Sequence, residues 1–292
     1  MARAKPREPR RRHAPRPRPT PRAHACGTRG PRTAPSRGAP VTARVALVTG
    51  AGRGIGKATA LALAERGARV MAVSRTEGEL EALAAETPVE ILAESVATEA
   101  GCARIVEETR RRLGAIEILV NNAGLGSADE QVIWKQDPAV WRETLAVNLD
   151  GPFHLTRLAV PDMIEREWGR IVMVSSTAGQ VGGRGESAYD SSKHGLLGLM
   201  RATAQDVGRF GITCNAVLPG WVRTEMAERS ATREAERRGM SVEEVWAERA
   251  TGYPAGRVLE PKEVGEVIAF LTSEEASGVN GEALTVALGG LW

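Results

Sequence analysis

From Arg44 onward the chain alternates short runs of β-branched and aliphatic residues with longer stretches whose apolar residues recur at helical spacing. The short runs are Val45 to Val48, Val70 to Val73, Val89 to Leu92, Ile116 to Val120, Arg170 to Val174, Ile212 to Val217 and Leu284 to Val286. Runs this short and this apolar suit strands buried on both faces, and a helix between successive strands makes them pair in parallel. The pattern predicts an α/β fold with one doubly wound parallel sheet of about seven strands and helices on both faces. The helical stretches are Lys57 to Glu65, Glu77 to Glu86, Ala100 to Leu113, Ala139 to Arg166, Ser191 to Val207 and Pro261 to Leu271. Several close just before a glycine suited to a left-handed C-cap (Gly67, Gly114, Gly208). Residues 222–250 break the alternation, because Met226 to Ala250 is charged and helix-prone between a strand and the last helix. They are read as a mobile lid.

Residues 1–40 stand outside this pattern, with nine prolines and 12 Lys or Arg against one acid, Glu8. So few large apolar side chains cannot offset the entropy of ordering, and the segment is predicted to be disordered. An Arg-rich, acid-poor tail suits a nucleic-acid tether or an organellar presequence. The reading taken is that translation starts near Val41, and that residues 41–292 form a single domain with its lid. The formal charge of +3 and the pI near 8.9 belong to the tail, and the remainder is net acidic, so the basicity does not argue for a nucleic-acid partner. Cys26, Cys102 and Cys214 are scattered, with no C-x-x-C pair and no histidine at ligand spacing, which predicts reduced thiols, a cytoplasmic protein and no metal site. No stretch approaches the roughly 18 consecutive apolar residues of a membrane span.

The first strand runs into Thr49-Gly50-Ala51-Gly52-Arg53-Gly54-Ile55-Gly56 and then an Ala-rich helix. Glycines at a strand-to-helix turn let the backbone approach a pyrophosphate, whose charge meets the unpaired N–H groups and positive dipole end of the helix. With this turn the sheet reads as Rossmann-type, binding a dinucleotide. An NAD site usually places an acid at the end of the second strand to hold the ribose 2′-hydroxyl, but Ser74 and Arg75 stand there. Arg75, with Arg53 from the glycine turn, suits a 2′-phosphate, so NADP(H) is favoured and NAD(H) is the alternative.

Tyr189 and Lys193 are four residues apart on a predicted helix and therefore share one face. An ammonium beside a phenol favours the phenolate and lowers its pKa, so the pair is suited to proton transfer. Ser176 follows the fifth strand at its carboxyl end, where open α/β sheets bind ligands, and its hydroxyl can polarise a substrate oxygen. His154 and His194 are read as structural, and Trp134, Trp221 and Trp246 as either pocket lining or packing.

These motifs together resemble the short-chain dehydrogenase/reductase family over nearly all of residues 41–292. The glycine turn is similar to its T-G-x-x-x-G-x-G, Asn121-Asn122-Ala123-Gly124 to its N-N-A-G, Tyr189-Asp190-Ser191-Ser192-Lys193 to its Y-x-x-x-K, and Pro219-Gly220 to its P-G. The resemblance implies a catalytic tetrad of Asn148, Ser176, Tyr189 and Lys193, with Ser176 preferred to Ser175 because it lies thirteen residues before the tyrosine. It implies that Lys193 also binds the nicotinamide ribose and that Asn148 holds a relaying water. Asn121 would be structural near the adenine ribose. Cofactor contacts would come from Gly50, Gly52, Arg53, Gly54, Ile55, Gly56, Ser74, Arg75, Ser95, Val96, Asn122, Ala123, Gly124, Tyr189, Lys193, Pro219, Gly220, Val222 and Thr224. Two places depart from the family pattern: Ser95 replaces the usual Asp at the adenine, and Ala287-Leu288-Gly289-Gly290 replaces Asp-Gly-Gly.

The expected activity is an NADP(H)-dependent interconversion of a ketone and a secondary alcohol, of the 3-oxoacyl or polyketide ketoreductase type, on a small-molecule or acyl-thioester carbonyl. The alternatives are an NAD-dependent alcohol or hydroxyacyl dehydrogenase and, in another class, a non-catalytic dinucleotide-sensing or nucleic-acid-tethered protein. The family also implies a homotetramer. Specificity would lie in Gly182 to Ser187, the lid and the residues after Gly124.

Overall fold

A computed structural model describes residues 44–127 and 131–290. The Arg/Pro-rich segment 1–40 and the expected start near Val41 lie outside the described residues. Seven strands form the sheet: β1 (Val45–Thr49), β2 (Arg69–Ser74), β3 (Glu90–Ala93), β4 (Ile118–Asn121), β5 (Gly169–Val174), β6 (Ile212–Pro219) and β7 (Ala283–Val286). All pair in parallel, in the order β3-β2-β1-β4-β5-β6-β7. Each expected strand is present, with ends shifted by a residue or two.

Alternation along the strands divides the core. On β1, Leu47 faces one side, with Met71 and Leu119, towards α3 (Glu99–Leu113), α5 (Gly151–Glu165) and α6 (Ser187–Val207), whose Ile105, Leu155 and Met200 close that layer. Ala46 and Val48 face the other, towards α1 (Gly54–Glu65), α2 (Glu77–Glu86) and α9 (Pro261–Leu271), whose Leu63, Leu80 and Ile268 close it. The order reverses between β1 and β4, and the crevice at the carboxyl ends of those strands is where such a sheet binds ligands.

The stretch expected as one helix from Ala139 to Arg166 is instead α4 (Pro138–Leu145), a π-helical turn over Ala146–Asp150, and α5. Pro152 has no N–H to return to the Asn148 carbonyl, and the Gly151 N–H bonds the Ala146 carbonyl five residues back. Gly208 is right-handed at φ −54° because a further turn over Gly208–Phe210 continues α6, and Gly211 at φ 76° takes the left-handed position. The stretch expected as a lid forms α7 (Glu225–Arg238) and α8 (Val242–Thr251), which share a small core of Ala231, Ala235, Val245, Trp246 and Tyr253. No described helix is long and apolar enough to cross a membrane.

Candidate active site

The glycine turn is built for close approach. Gly50 (φ 64°) and Gly54 (φ 55°) are left-handed. A Cβ on Gly50 would stand 2.8 Å from Asn122 Nδ2, and one on Gly56 would stand 2.1 Å from the Gly50 carbonyl oxygen, so α1 presses directly onto the turn. The turn is laced to the loop after β4. Asn122 Nδ2 donates to the carbonyls of Thr49 (2.8 Å) and Gly50 (3.1 Å), and the N–H groups of Asn122 and Ala123 donate to Thr49 Oγ1 at 3.1 Å each. No side chain caps the start of α1. Its N–H groups and positive dipole end therefore face the cleft without a protein partner there, a fit for the pyrophosphate of a nicotinamide dinucleotide.

Most of the expected cofactor residues line this cleft: Gly50, Gly52, Arg53, Gly54 and Ile55 from the turn, Ser74 and Arg75 at the end of β2, and Ser95 and Val96 after β3. Asn122 to Gly124, Tyr189, Lys193 and Thr224 complete the set. The other four lie elsewhere. Gly56 is beneath the turn, and Pro219 ends β6 in register with Val286. The Gly220 N–H donates to the Val286 carbonyl at 3.0 Å, and Val222 is buried against Leu259. These last three lie where the chain leaves β6 for α7. Asn121 turns into the core, donating to Thr156 Oγ1 at 3.2 Å.

Three carboxylates not anticipated from sequence also line the cleft: Glu79, Glu94 and Glu225. Arg53 donates to Glu79 of α2 at 2.9 Å and to Glu225 of α7 at 2.7 Å, so the second cation expected for a 2′-phosphate is already paired. Arg75 is exposed and makes no ion pair among the described residues. Glu94, the neighbour of Ser95, receives Arg104 at 2.6 Å, and that hydrogen bond holds its carboxyl below the usual range. Ser95 Oγ accepts the Ala97 N–H at 3.2 Å.

At the other end, α6 carries Tyr189 and Lys193 one turn apart, both facing the cleft. Ser176 is the neighbour that tends to lower the Tyr189 phenol, and its Oγ accepts the Ala178 N–H at 3.1 Å. Ser175 is buried and donates to the Lys193 carbonyl at 3.1 Å. Asn148 is buried in the π-helical turn, where its side chain accepts the Leu125 N–H (2.7 Å) and donates to the Leu125 carbonyl (2.9 Å) and Ser192 Oγ (3.0 Å). It therefore pins the loop after β4 to α6 rather than lining the cleft.

The expected lowering of the phenol by the ammonium is not met. Lys193 Nζ donates to the Val174 carbonyl at 2.9 Å and stands 5.6 Å from the Tyr189 ring centre. Burial pulls the Lys193 pKa down to about 8. Burial pushes the Tyr189 phenol up to about 12, with Glu186 and Asp190 adding to the rise and Ser176 opposing it.

The remaining aromatic and histidine candidates sit outside the cleft. Trp221 and Trp246 pack edge to face at 6.5 Å, Trp134 is 78% exposed, and His194 bonds the Asp190 carbonyl.

Residues 44–235 match the short chain dehydrogenase family. The chain belongs to that family. This short-chain dehydrogenase is an oxidoreductase acting on CH–OH groups with NAD(P). It is 35% identical to D-β-hydroxybutyrate dehydrogenase of Cupriavidus necator over 250 residues, covering 82% of this chain and 94% of the relative. With 3-oxoacyl-[acyl-carrier-protein] reductase of Escherichia coli it shares 33% identity, covering 83% and 95%. The solved actinorhodin polyketide ketoreductase with NADPH superposes with a TM-score of 0.80 at 34% identity, covering 86% of this chain and 99% of that one.

Proposed function

We propose that this dehydrogenase uses NADP(H) to interconvert a ketone and a secondary alcohol on a 3-oxoacyl-type thioester or a related carbonyl compound. The observation that carries the reading is that Tyr189, Lys193 and the uncapped glycine turn line one cleft. The names of both curated relatives describe an acyl chain oxygenated at its third carbon, which supports the substrate class. Arg53 and Arg75, with no acid ending β2, support NADP(H), as does the ketoreductase solved with NADPH. The alternative, an NAD-dependent alcohol or hydroxyacyl dehydrogenase, draws on Glu79, a carboxylate at that same corner.

When bound, the nicotinamide supplies or takes up a hydride at the substrate carbon. Ser176, which acts on the Tyr189 phenol, would hold the substrate oxygen together with it. The Tyr189 phenol, pushed up to about 12 by burial, is protonated at neutral pH and can donate to the oxygen that forms on reduction. Lys193 is the cationic neighbour of that phenol and would hold the nicotinamide ribose. Asn148 is a positioning residue that keeps the loop after β4 at a fixed distance from α6.

Phe153 on α5, Phe270 on α9 and Leu284 on the edge strand β7 are exposed, in keeping with a homotetramer. The thiols of Cys102 and Cys214 are free and buried, in keeping with a cytoplasmic setting.

Tyr189→Phe removes the proton donor alone. NADPH oxidation with a 3-oxoacyl thioester is expected to fall about a thousandfold while the NADPH Kd stays near that of the parent. Turnover at the parent rate sinks the assignment.

A further inference from the structure

The end of β2 offers no acid, yet a carboxylate reaches the same corner from the following helix. Glu79, on the first turn of α2, folds back over the glycine turn. A Cβ built on Gly52 would stand 2.6 Å from Glu79 Oε2 and 3.0 Å from Ser74 Oγ, so carboxylate, turn and strand end share one small space. The other oxygen of Glu79 takes Arg53 Nη1 at 2.9 Å, and the same nitrogen donates to Glu225 Oε2 at 2.7 Å. Arg75, also lining the cleft here, makes no ion pair among the described residues.

The two nicotinamide cofactors differ at one group, and this corner treats the two versions oppositely. A ribose 2′-hydroxyl is a neutral donor, which a carboxylate accepts while keeping its arginine. A 2′-phosphate is an anion that meets repulsion from Glu79 and must also draw Arg53 away from two carboxylates.

We propose that Glu79 is a specificity-determining residue of the cofactor site, accepting the 2′-hydroxyl of NAD(H) and restraining the preference that Arg53 and Arg75 give NADP(H). This rests on reading the cleft as a nicotinamide dinucleotide site. Glutamine at this position keeps the shape and the hydrogen-bonding reach, removes the charge, and releases Arg53 from one of its two partners. A residue that merely packed against the turn would shift both cofactors alike, whereas Glu79 moves them in opposite directions.

The experiment is calorimetric titration of the full chain, without substrate, using NADPH and NADH on the parent and on Glu79→Gln. NADPH is expected to bind about tenfold more tightly to the variant, and NADH about threefold more weakly. The gain for NADPH shrinks with added salt, since the corner is partly exposed. An NADPH-to-NADH affinity ratio within about twofold of the parent overturns the role of Glu79 and leaves the reading of the cleft standing. A parent protein that binds neither dinucleotide overturns both.

Discussion

Leu47 on β1 and Arg249 on α8 are both nearly hidden from solvent, yet their surroundings have little in common. Leu47 meets Met71, Leu119 and other apolar side chains, whose attraction has no direction and grows with buried area. Arg249 stacks 3.6 Å over Trp221 and donates to the Ala227 carbonyl (3.1 Å), Ser230 Oγ (3.1 Å) and Glu234 (2.9 Å). The sheet is therefore ordered by many weak contacts that back one another up. The pair α7 and α8 adds to its small apolar core a few directional contacts, each leaving a buried partner unsatisfied when lost. Local opening of α7 and α8, below the free energy of global unfolding, is the expectation that this difference sets up.

The largest way to probe that difference is Leu47→Ala, which should cost about 3 kcal/mol and lower Tm by about 9 °C. Amide exchange should then quicken in sheet and lid together, since both depend on the core. Arg249→Met should act locally, raising exchange across α7 and α8 about thirtyfold and leaving β1, β4 and β5 unmoved. If the sheet amides quicken equally, the lid is not a separate unit.

Lys193 lies in the cleft, and burial holds its pKa near 8 against an ordinary 10.5. Between those values the unfolded chain binds more protons than the folded one, so this residue makes stability rise with pH across that window. Lys193→Met should flatten the rise and lift Tm at pH 7 by about 4 °C, while abolishing turnover. A Tm profile that keeps the parent slope counts against a lowered Lys193 pKa. The smallest effect is that of salt. At about 1 M, the exposed Arg53–Glu225 and Arg238–Glu248 pairs are screened, and lid exchange should rise about threefold with no change in the sheet.

The same contrast governs what could be read from the sequence. Seven strands and both ends of α2 and α9 follow from apolar runs and their punctuation, because burial on two faces leaves a compositional trace. The glycine turn was legible for the same reason, a backbone demand written as residue type. The break at Asn148 had a visible signal in Pro152, a missing N–H within a helical stretch. The stack of Arg249 on Trp221 had none, since it exists only once α8 folds back against the end of β6. Tyr189 and Lys193 were placed on one face by spacing. The spacing carries no information about the Val174 carbonyl that takes the ammonium, or about the burial that raises the phenol. Glu79 was equally hidden, because its reach to Gly52 depends on where α2 starts rather than on any motif.

The π-helical turn over Ala146–Asp150 carries one residue more than an α-helical turn, and each residue of a helix advances the next by about 100° of rotation. Deleting a single residue there would turn the whole of α5 by that amount, swinging Phe153 from water towards the sheet and carrying inner side chains outward. The insertion that seats Asn148 beside Leu125 and Ser192 is thus also the setting that decides which edge of α5 the molecule shows to its surroundings.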